Sequence, residues 1–250
     1  MIRAESRAMK LFTTIYHDAR LLGHFLAHYR RAGVMQFFVA VSEPFQNAVR
    51  CAAAGDITVY TDLDVSDTVI GQVSAATEMR RRHQQPSEWA LVVDLDEFVE
   101  FPSGIDGIIA DAESERATVV RGIMWDRFAR DGRVVGFQPT SDLKSIYPIK
   151  ARFIKSVMGG ADYKGVLVKG LLKSASAHHN FEDEVICSRE LEISHYKWTK
   201  GAIDRLRAAH RMVQDSGEAW AVEYARVLDH YERHGRFAWE EFGGQLDGNI

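Results

Sequence analysis

The stretch Trp89-Ala90-Leu91-Val92-Val93-Asp94-Leu95-Asp96-Glu97-Phe98 constrains this chain most. Five largely apolar residues run straight into an Asp-x-Asp and a third carboxylate. A short continuous apolar run reads as a strand buried on both faces. In open α/β sheets, ligands gather just beyond the carboxyl ends of such strands. Two carboxylates two residues apart can share one hard cation, or act as nucleophile and acid. A cap or a tight turn accounts for one of these aspartates. It does not account for three acids at the end of a buried strand, where like charges repel.

The segments before this stretch alternate. Residues 10–16 read as a strand, with Thr13, Thr14 and Ile15 favouring extended backbone. Asp18 is placed to cap the following helix, whose apolar face is Leu21, Leu22, Phe25, Leu26 and Tyr29. Arg30 and Arg31 suit its last turn and Gly33 its end. A strand over 34–41, a helix around 46–54, a strand over 57–60 and a helix over 71–83 precede the strand at 89–93. Arg80-Arg81-Arg82 closes that last helix and reads as surface. Strands alternating with helices imply a parallel sheet with helices on both faces. Farther on, 105–112 reads as a helix. Residues 117–125 and 133–137 read as two strands turning at Asp131-Gly132. Short strands follow at 166–168 and 191–194. From Thr199 the chain is helical, and 243–250 reads as frayed.

At 250 residues the chain is long enough for one large α/β domain. A formal net charge of -4 gives no global basic field for nucleic acid. Cys51 and Cys187 stand alone, without metal spacing, which fits a reducing compartment. No window approaches the ~18 apolar residues of a membrane-spanning helix, and residues 1–10 are polar rather than signal-like. The expected location is cytoplasmic, with peripheral membrane contact open.

Four stretches together resemble the glycosyltransferase family 2-like proteins of the GT-A fold, in the branch related to glycosyltransferase family 92. They are Thr13-Thr14-Ile15-Tyr16 with residues 21–29 and Gly33-Val34; Val92 to Phe98 with its Asp94-Leu95-Asp96; Trp125-Asp126-Arg127-Phe128 to Gly132; and Ile193-Ser194-His195-Tyr196-Lys197-Trp198. Gly23-His24 replaces the more usual acid and bulky residue, and Ala129 replaces a glycine.

The resemblance implies an α/β fold of the GT-A type: a Rossmann-like mixed sheet with helices on both faces and a C-terminal helical extension. Residues 1–198 would form the catalytic domain, with a nucleotide part near 10–100 and an acceptor part near 101–198. Residues 199–250 would pack on it. The implied activity is sugar transfer from a nucleotide-sugar, UDP- or GDP-linked, to a glycan or other hydroxyl acceptor. Mn²⁺ or Mg²⁺ would bridge the donor diphosphate. Asp96 would coordinate it directly, Asp94 through water or on the ribose, and His195 as a late ligand. Thr14, Tyr16 and Glu43 would line the nucleoside pocket, and Lys197 would face phosphate. Eligible bases by type are Asp126, Glu182, Asp183 and Glu184, and His178-His179 lies just upstream of the last three. Trp125 would stack on a sugar or sit in the core. Lys144, Lys150 and Arg152 would meet an anionic group or solvent.

Two readings compete. A phosphatase of the haloacid dehalogenase type would use Asp94 as nucleophile and Asp96 as acid. Its motif would then lie unusually deep in the chain, with no paired-aspartate site after it. A non-catalytic glycan- or nucleotide-binding protein would keep the fold and lose turnover.

Overall fold

The computed structural model describes residues 8–65, 69–176, 178–215, 217 and 219–247. Along the chain come β1 (Met9–Ile15), α1 (Leu22–Arg31), β2 (Val34–Val41), α2 (Gln46–Ala52), β3 (Ile57–Tyr60), α3 (Val69–His83), β4 (Trp89–Val92), β5 (Glu97–Val99), α4 (Gly104–Ser114) and β6 (Val119–Phe128). Then come α5 (Leu143–Ile146), β7 (Ile149–Ala151), β8 (Tyr163–Lys169), β9 (Ser174–Ser176), β10 (Asn180–Phe181), β11 (Leu191–His195), α6 (Ala202–Val213), α7 (Ala219–His234) and β12 (Gln245–Leu246). The fold is mixed α/β. It divides into two compact units. Of the described residues, those within 8–95, 99–122 and 164–191 make one, and those within 96–98, 123–163 and 192–247 make the other.

In the first unit β1 pairs in parallel with β2 and with β4, and β2 pairs in parallel with β3. Every residue of β4 is buried, as the uninterrupted apolar run demands. α1 buries Leu22, Phe25, Leu26 and Tyr29, one helical stripe. Gly33, at φ +98°, ends it in a conformation that side chains disfavour. Asp18 does not cap α1. Leu21 is its N-cap, and the Asp18 carboxylate instead accepts from the Arg20 backbone N–H at 3.0 Å, upstream of the helix.

The sheet is not purely parallel. β8 runs antiparallel to β4, with Leu91 opposite Leu167. Beyond that register the two segments stay close, since Lys164 Nζ reaches Asp94 Oδ2 at 2.5 Å. Gly165 is required there, since a Cβ would lie 2.6 Å from the Phe181 ring. Arg80 is also not a surface residue. It is 1% exposed and donates to the carbonyls of Gly170 (2.6 Å) and Leu172 (3.1 Å) and to Gln84 Oε1 (2.8 Å). Burial pulls its guanidinium down to about 10. Arg81 and Arg82 do stay outside, both paired with Glu78.

In the second unit β6 is a single strand running to Phe128, and it pairs antiparallel with β7. Residues 133–137 form no strand. The expected hairpin partner of β6 is therefore β7, although a turn does form at Asp131-Gly132. Gly132 sits at φ +73°, and a Cβ there would also strike the Phe237 carbonyl at 2.1 Å. The extension after 199 belongs to this unit: Arg226 on α7 donates to the Met158 carbonyl at 2.8 Å. Residues 243–247 are ordered rather than frayed. β12 pairs with β7, and the Asp247 carboxylate accepts from Arg127 Nη1 at 2.6 Å; residues 248–250 lie outside the described residues. Phe128, Phe153, Trp198 and Phe237 pack on one another as the local core, mostly edge to face, with Phe128 stacked on Trp198. Among the described residues no helix is long and apolar enough to cross a membrane.

Candidate functional site

The Asp94-Leu95-Asp96 motif follows β4 and straddles the division: Asp94 belongs to the first unit and Asp96 to the second. Each aspartate has its own surroundings.

In the first unit, Lys164 Nζ donates to Asp94 Oδ2 at 2.5 Å. The lysine side chain is 3% exposed and the aspartate side chain 39%. The register of β8 on β4 produces this pair, and nothing local in the sequence signals it. His178 is near enough to feel both charges. Its backbone takes the left-handed conformation, φ +63°, and its buried Nδ1 has no hydrogen-bond partner among the described residues. Burial, then the Lys164 charge, pushes the imidazole down to about 3.

In the second unit, His195 ends β11, a strand that pairs with β5 and β6. Tyr196 N–H donates to the Asp96 carbonyl at 2.8 Å, which ties the residue after the histidine to the motif. His195 Nε2 lies 3.4 Å from Asp96 Oδ2. On its other side, Nδ1–H donates to Asp126 Oδ1 at 3.0 Å. That oxygen also accepts from Trp198 Nε1 at 2.8 Å, and Asp126 Oδ2 accepts from the Ile154 N–H at 3.0 Å. Burial alone would lower the histidine. The Asp96 charge and the hydrogen bond to Asp126 outweigh it and carry the imidazole up to about 10.

This geometry corrects the expectation that Asp126 is a base. Asp126 has no exposed surface and both its oxygens accept hydrogen bonds. A base must reach an acceptor hydroxyl. Asp126 instead fixes the ring of His195 and directs Nε2 toward Asp96, the arrangement in which a carboxylate orients a metal-ligating histidine. Glu184 is likewise committed: it accepts from Arg121 at 2.5 Å and from the Phe181 N–H at 3.2 Å. Asp183 is exposed in a left-handed turn, φ +56°, and Glu182 pairs with Lys173 at the surface.

The remaining candidates are scattered. Thr14 is buried in β1, and Tyr16, just past it, packs on the cluster of Phe12, Phe38 and Met79. Glu43 is exposed at the head of a short 3-10 turn after β2. Lys197 is half-buried, its Nζ 5.8 Å from the Trp198 ring. Trp125 is half-buried with Lys150 over one face at 5.0 Å, and Lys150 also pairs with Glu192. Arg152 is bound to Asp162. The sequence reading missed Lys164, Trp198 as a donor to Asp126, and the buried Arg127, which donates to Ser194 Oγ at 2.8 Å beside His195.

The donor set fits a divalent cation. Asp96 supplies a hard oxygen and is 31% exposed, while His195 presents a nitrogen held from behind. Two ligands at right angles, each ~2.1 Å from one ion, sit ~3 Å apart, close to the separation found. An ion taken there would replace the proton that His195 holds between Asp96 and Asp126.

No protein-family model matches the sequence, and no curated protein matches it. Solved structures do share part of its plan. CMP:2-keto-3-deoxy-manno-octonic acid synthetase, complexed with CTP, is 12% identical over 83% of this chain and 99% of that one, with a TM-score of 0.41. HddC from Yersinia pseudotuberculosis is 8% identical over 79% and 97%, with a TM-score of 0.43. UDP-glucose pyrophosphorylase from Acinetobacter baumanii is 9% identical over 88% and 99%, with a TM-score of 0.38. At such identities and TM-scores, these proteins say nothing about what this chain binds.

Proposed function

We propose that the chain is a metal-dependent glycosyltransferase of the GT-A type, moving a sugar from a nucleotide-sugar to an acceptor hydroxyl. The observation that carries this is the line Asp96–His195–Asp126, in which a buried carboxylate aims an imidazole at the half-buried second aspartate of an Asp-x-Asp motif. Asp96 and His195 would hold Mn²⁺ or Mg²⁺, an imidazole being better suited to Mn²⁺. Such an ion, when bound, stabilises the charge that grows on a leaving nucleoside diphosphate. Asp126 keeps the imidazole in place, and Trp198 and the Ile154 N–H keep Asp126 in place. Asp94, neutralised by Lys164, is suited to accept ribose hydroxyls rather than to add a further charge at the ion. Thr14, Tyr16 and Glu43 are the nucleoside candidates, and the donor is UDP- or GDP-linked. None of the acids considered as base has a position that singles it out.

Calorimetric titration of UDP and of GDP, with and without Mn²⁺, tests the reading. One nucleotide should bind only with the metal, and Asp96→Ala should abolish that binding while the fold, followed by circular dichroism, persists. Hydrolysis of a simple phosphate ester, lost in Asp94→Asn and unaccompanied by nucleotide binding, would replace it with the phosphatase reading. A glycan bound without metal or nucleotide would point to a binding protein.

A further inference from the structure

We infer that His230, His234 and Glu241 form a second metal site, of a class that takes Zn²⁺, sharing no residue with the Asp96–His195 pair. One ligand atom from each of the three lies within 4.8 Å of the other two. His230 and His234 stand four residues apart in the last turns of α7, which puts both rings on one helical face. Their centroids are 4.9 Å apart. The same spacing of two histidines on a helix builds zinc sites elsewhere.

Glu241 comes from the 3-10 turn Trp239–Phe242, which folds back on the helix after the left-handed Gly235. Its Oε2 is 3.4 Å from His234 Nε2. That is about the edge of a tetrahedron whose arms are the ~2.0–2.1 Å of zinc–nitrogen and zinc–oxygen bonds. His234 Nε2 is buried and makes no hydrogen bond among the described residues, and Glu241 is its ion-pair neighbour. His230 is 7% exposed and walled by the rings of Phe153 and Phe242. Its Nε2 accepts from the Ala238 N–H at 3.2 Å, so the metal-free ring carries its proton on Nδ1; taking an ion means moving that proton to Nε2 or giving up the Ala238 hydrogen bond. Two imidazoles and one carboxylate suit a borderline ion such as Zn²⁺ over Mg²⁺ or Ca²⁺. Three protein ligands leave a fourth position for water. An ion here would tie α7 to the turn that carries Phe242 into the aromatic core.

The test uses the full chain carrying Asp96→Asn, so that zinc at the proposed catalytic position does not intrude. After stripping with a chelator, Zn²⁺ is titrated by calorimetry and the Tm followed. The expected result is one bound equivalent and a raised Tm. Adding Glu241→Gln should weaken the affinity by at least the ~10–100-fold that loss of an outer partner costs at a metal site. Adding His234→Ala should remove the bound equivalent and the Tm response, with an unchanged circular dichroism spectrum showing that the chain still folds. No zinc uptake by the Asp96→Asn protein, or uptake indifferent to Glu241→Gln and His234→Ala, would overturn the site.

Discussion

Two buried histidines, His195 and His178, are driven in opposite directions. His195 lies between Asp96 and Asp126 and is carried up to about 10. His178 lies by Lys164 and is pushed down to about 3. Burial disfavours the charged ring in both, so burial does not separate them. The neighbours do. One ring is surrounded by acceptors that reward a positive charge, the other by an ammonium group that forbids it. The difference assigns the two aspartates of the motif different work. Asp96 faces an imidazole whose proton an incoming ion would displace, and Asp94 faces the ammonium of Lys164. The Asp-x-Asp thus holds one acid beside a titratable imidazole and one beside a buried lysine.

The largest expected effect lies on the His195 side. Asp126→Ala removes the acceptor for His195, Trp198 Nε1 and the Ile154 N–H together. Each buried donor left without a partner costs about 1–3 kcal/mol. Urea unfolding should therefore show a loss of roughly 3 kcal/mol or more, whereas Asp126→Asn, which keeps the shape and one acceptor oxygen, should lose less. Equal losses in the two variants would mean that the carboxylate is not what organises this side.

The Lys164 side should respond asymmetrically. Asp94→Ala takes the carboxylate from a lysine that is 3% exposed, and removal of one member of a buried pair costs about 3–5 kcal/mol. Because Asp94 itself is 39% exposed, the lower end of that range is expected. Lys164→Met leaves Asp94 reachable by water and fills the lysine's space with an apolar chain, so about 1 kcal/mol or less should be lost. Chemical denaturation of both variants decides it. A larger loss in Lys164→Met than in Asp94→Ala would reverse the assignment of which partner is buried.

How far these features could be read in the sequence depends on how local their causes are. β1 to β4 and the helices between them follow from periodicity and apolar runs, and each lies within a few residues of its expected place. The Asp-x-Asp and His195 were visible as residues because motif order carries them. Asp126 was visible as an acid but not as a positioning residue. Its role is set by Trp198, 72 residues away, and by the Ile154 N–H, 28 residues away. The Lys164–Asp94 pair spans 70 residues and depends on the antiparallel register of β8, which strand propensity does not specify. The strand expected at 133–137 failed for a similar reason: β6 found its partner in β7, beyond a loop. Arg80 looked like a helix-terminal surface cation because its acceptors, the carbonyls of Gly170 and Leu172, are 90 and 92 residues away.

The effects of pH on the two histidines oppose each other. For the chelator-treated protein, His195 has a folded-state value raised above the ordinary 6.5. The folded form then holds a proton that the unfolded chain releases. This contribution to stability is fully present below 6.5 and is lost as pH rises toward about 10. His178 has a folded-state value lowered from 6.5 to about 3, so the unfolded chain binds the extra proton. Its contribution is present above 6.5 and is lost as pH falls toward about 3. Denaturant midpoints measured across pH should fall on both sides of neutrality. His195→Gln should flatten the alkaline limb and leave the acid limb, and His178→Gln should do the reverse. Carboxylates titrating at low pH share the acid limb, so the His178 effect is the smaller of the two. An alkaline limb unchanged in His195→Gln would mean that Asp96 and Asp126 do not hold a proton on the ring between them, and the contrast between the two histidines would collapse.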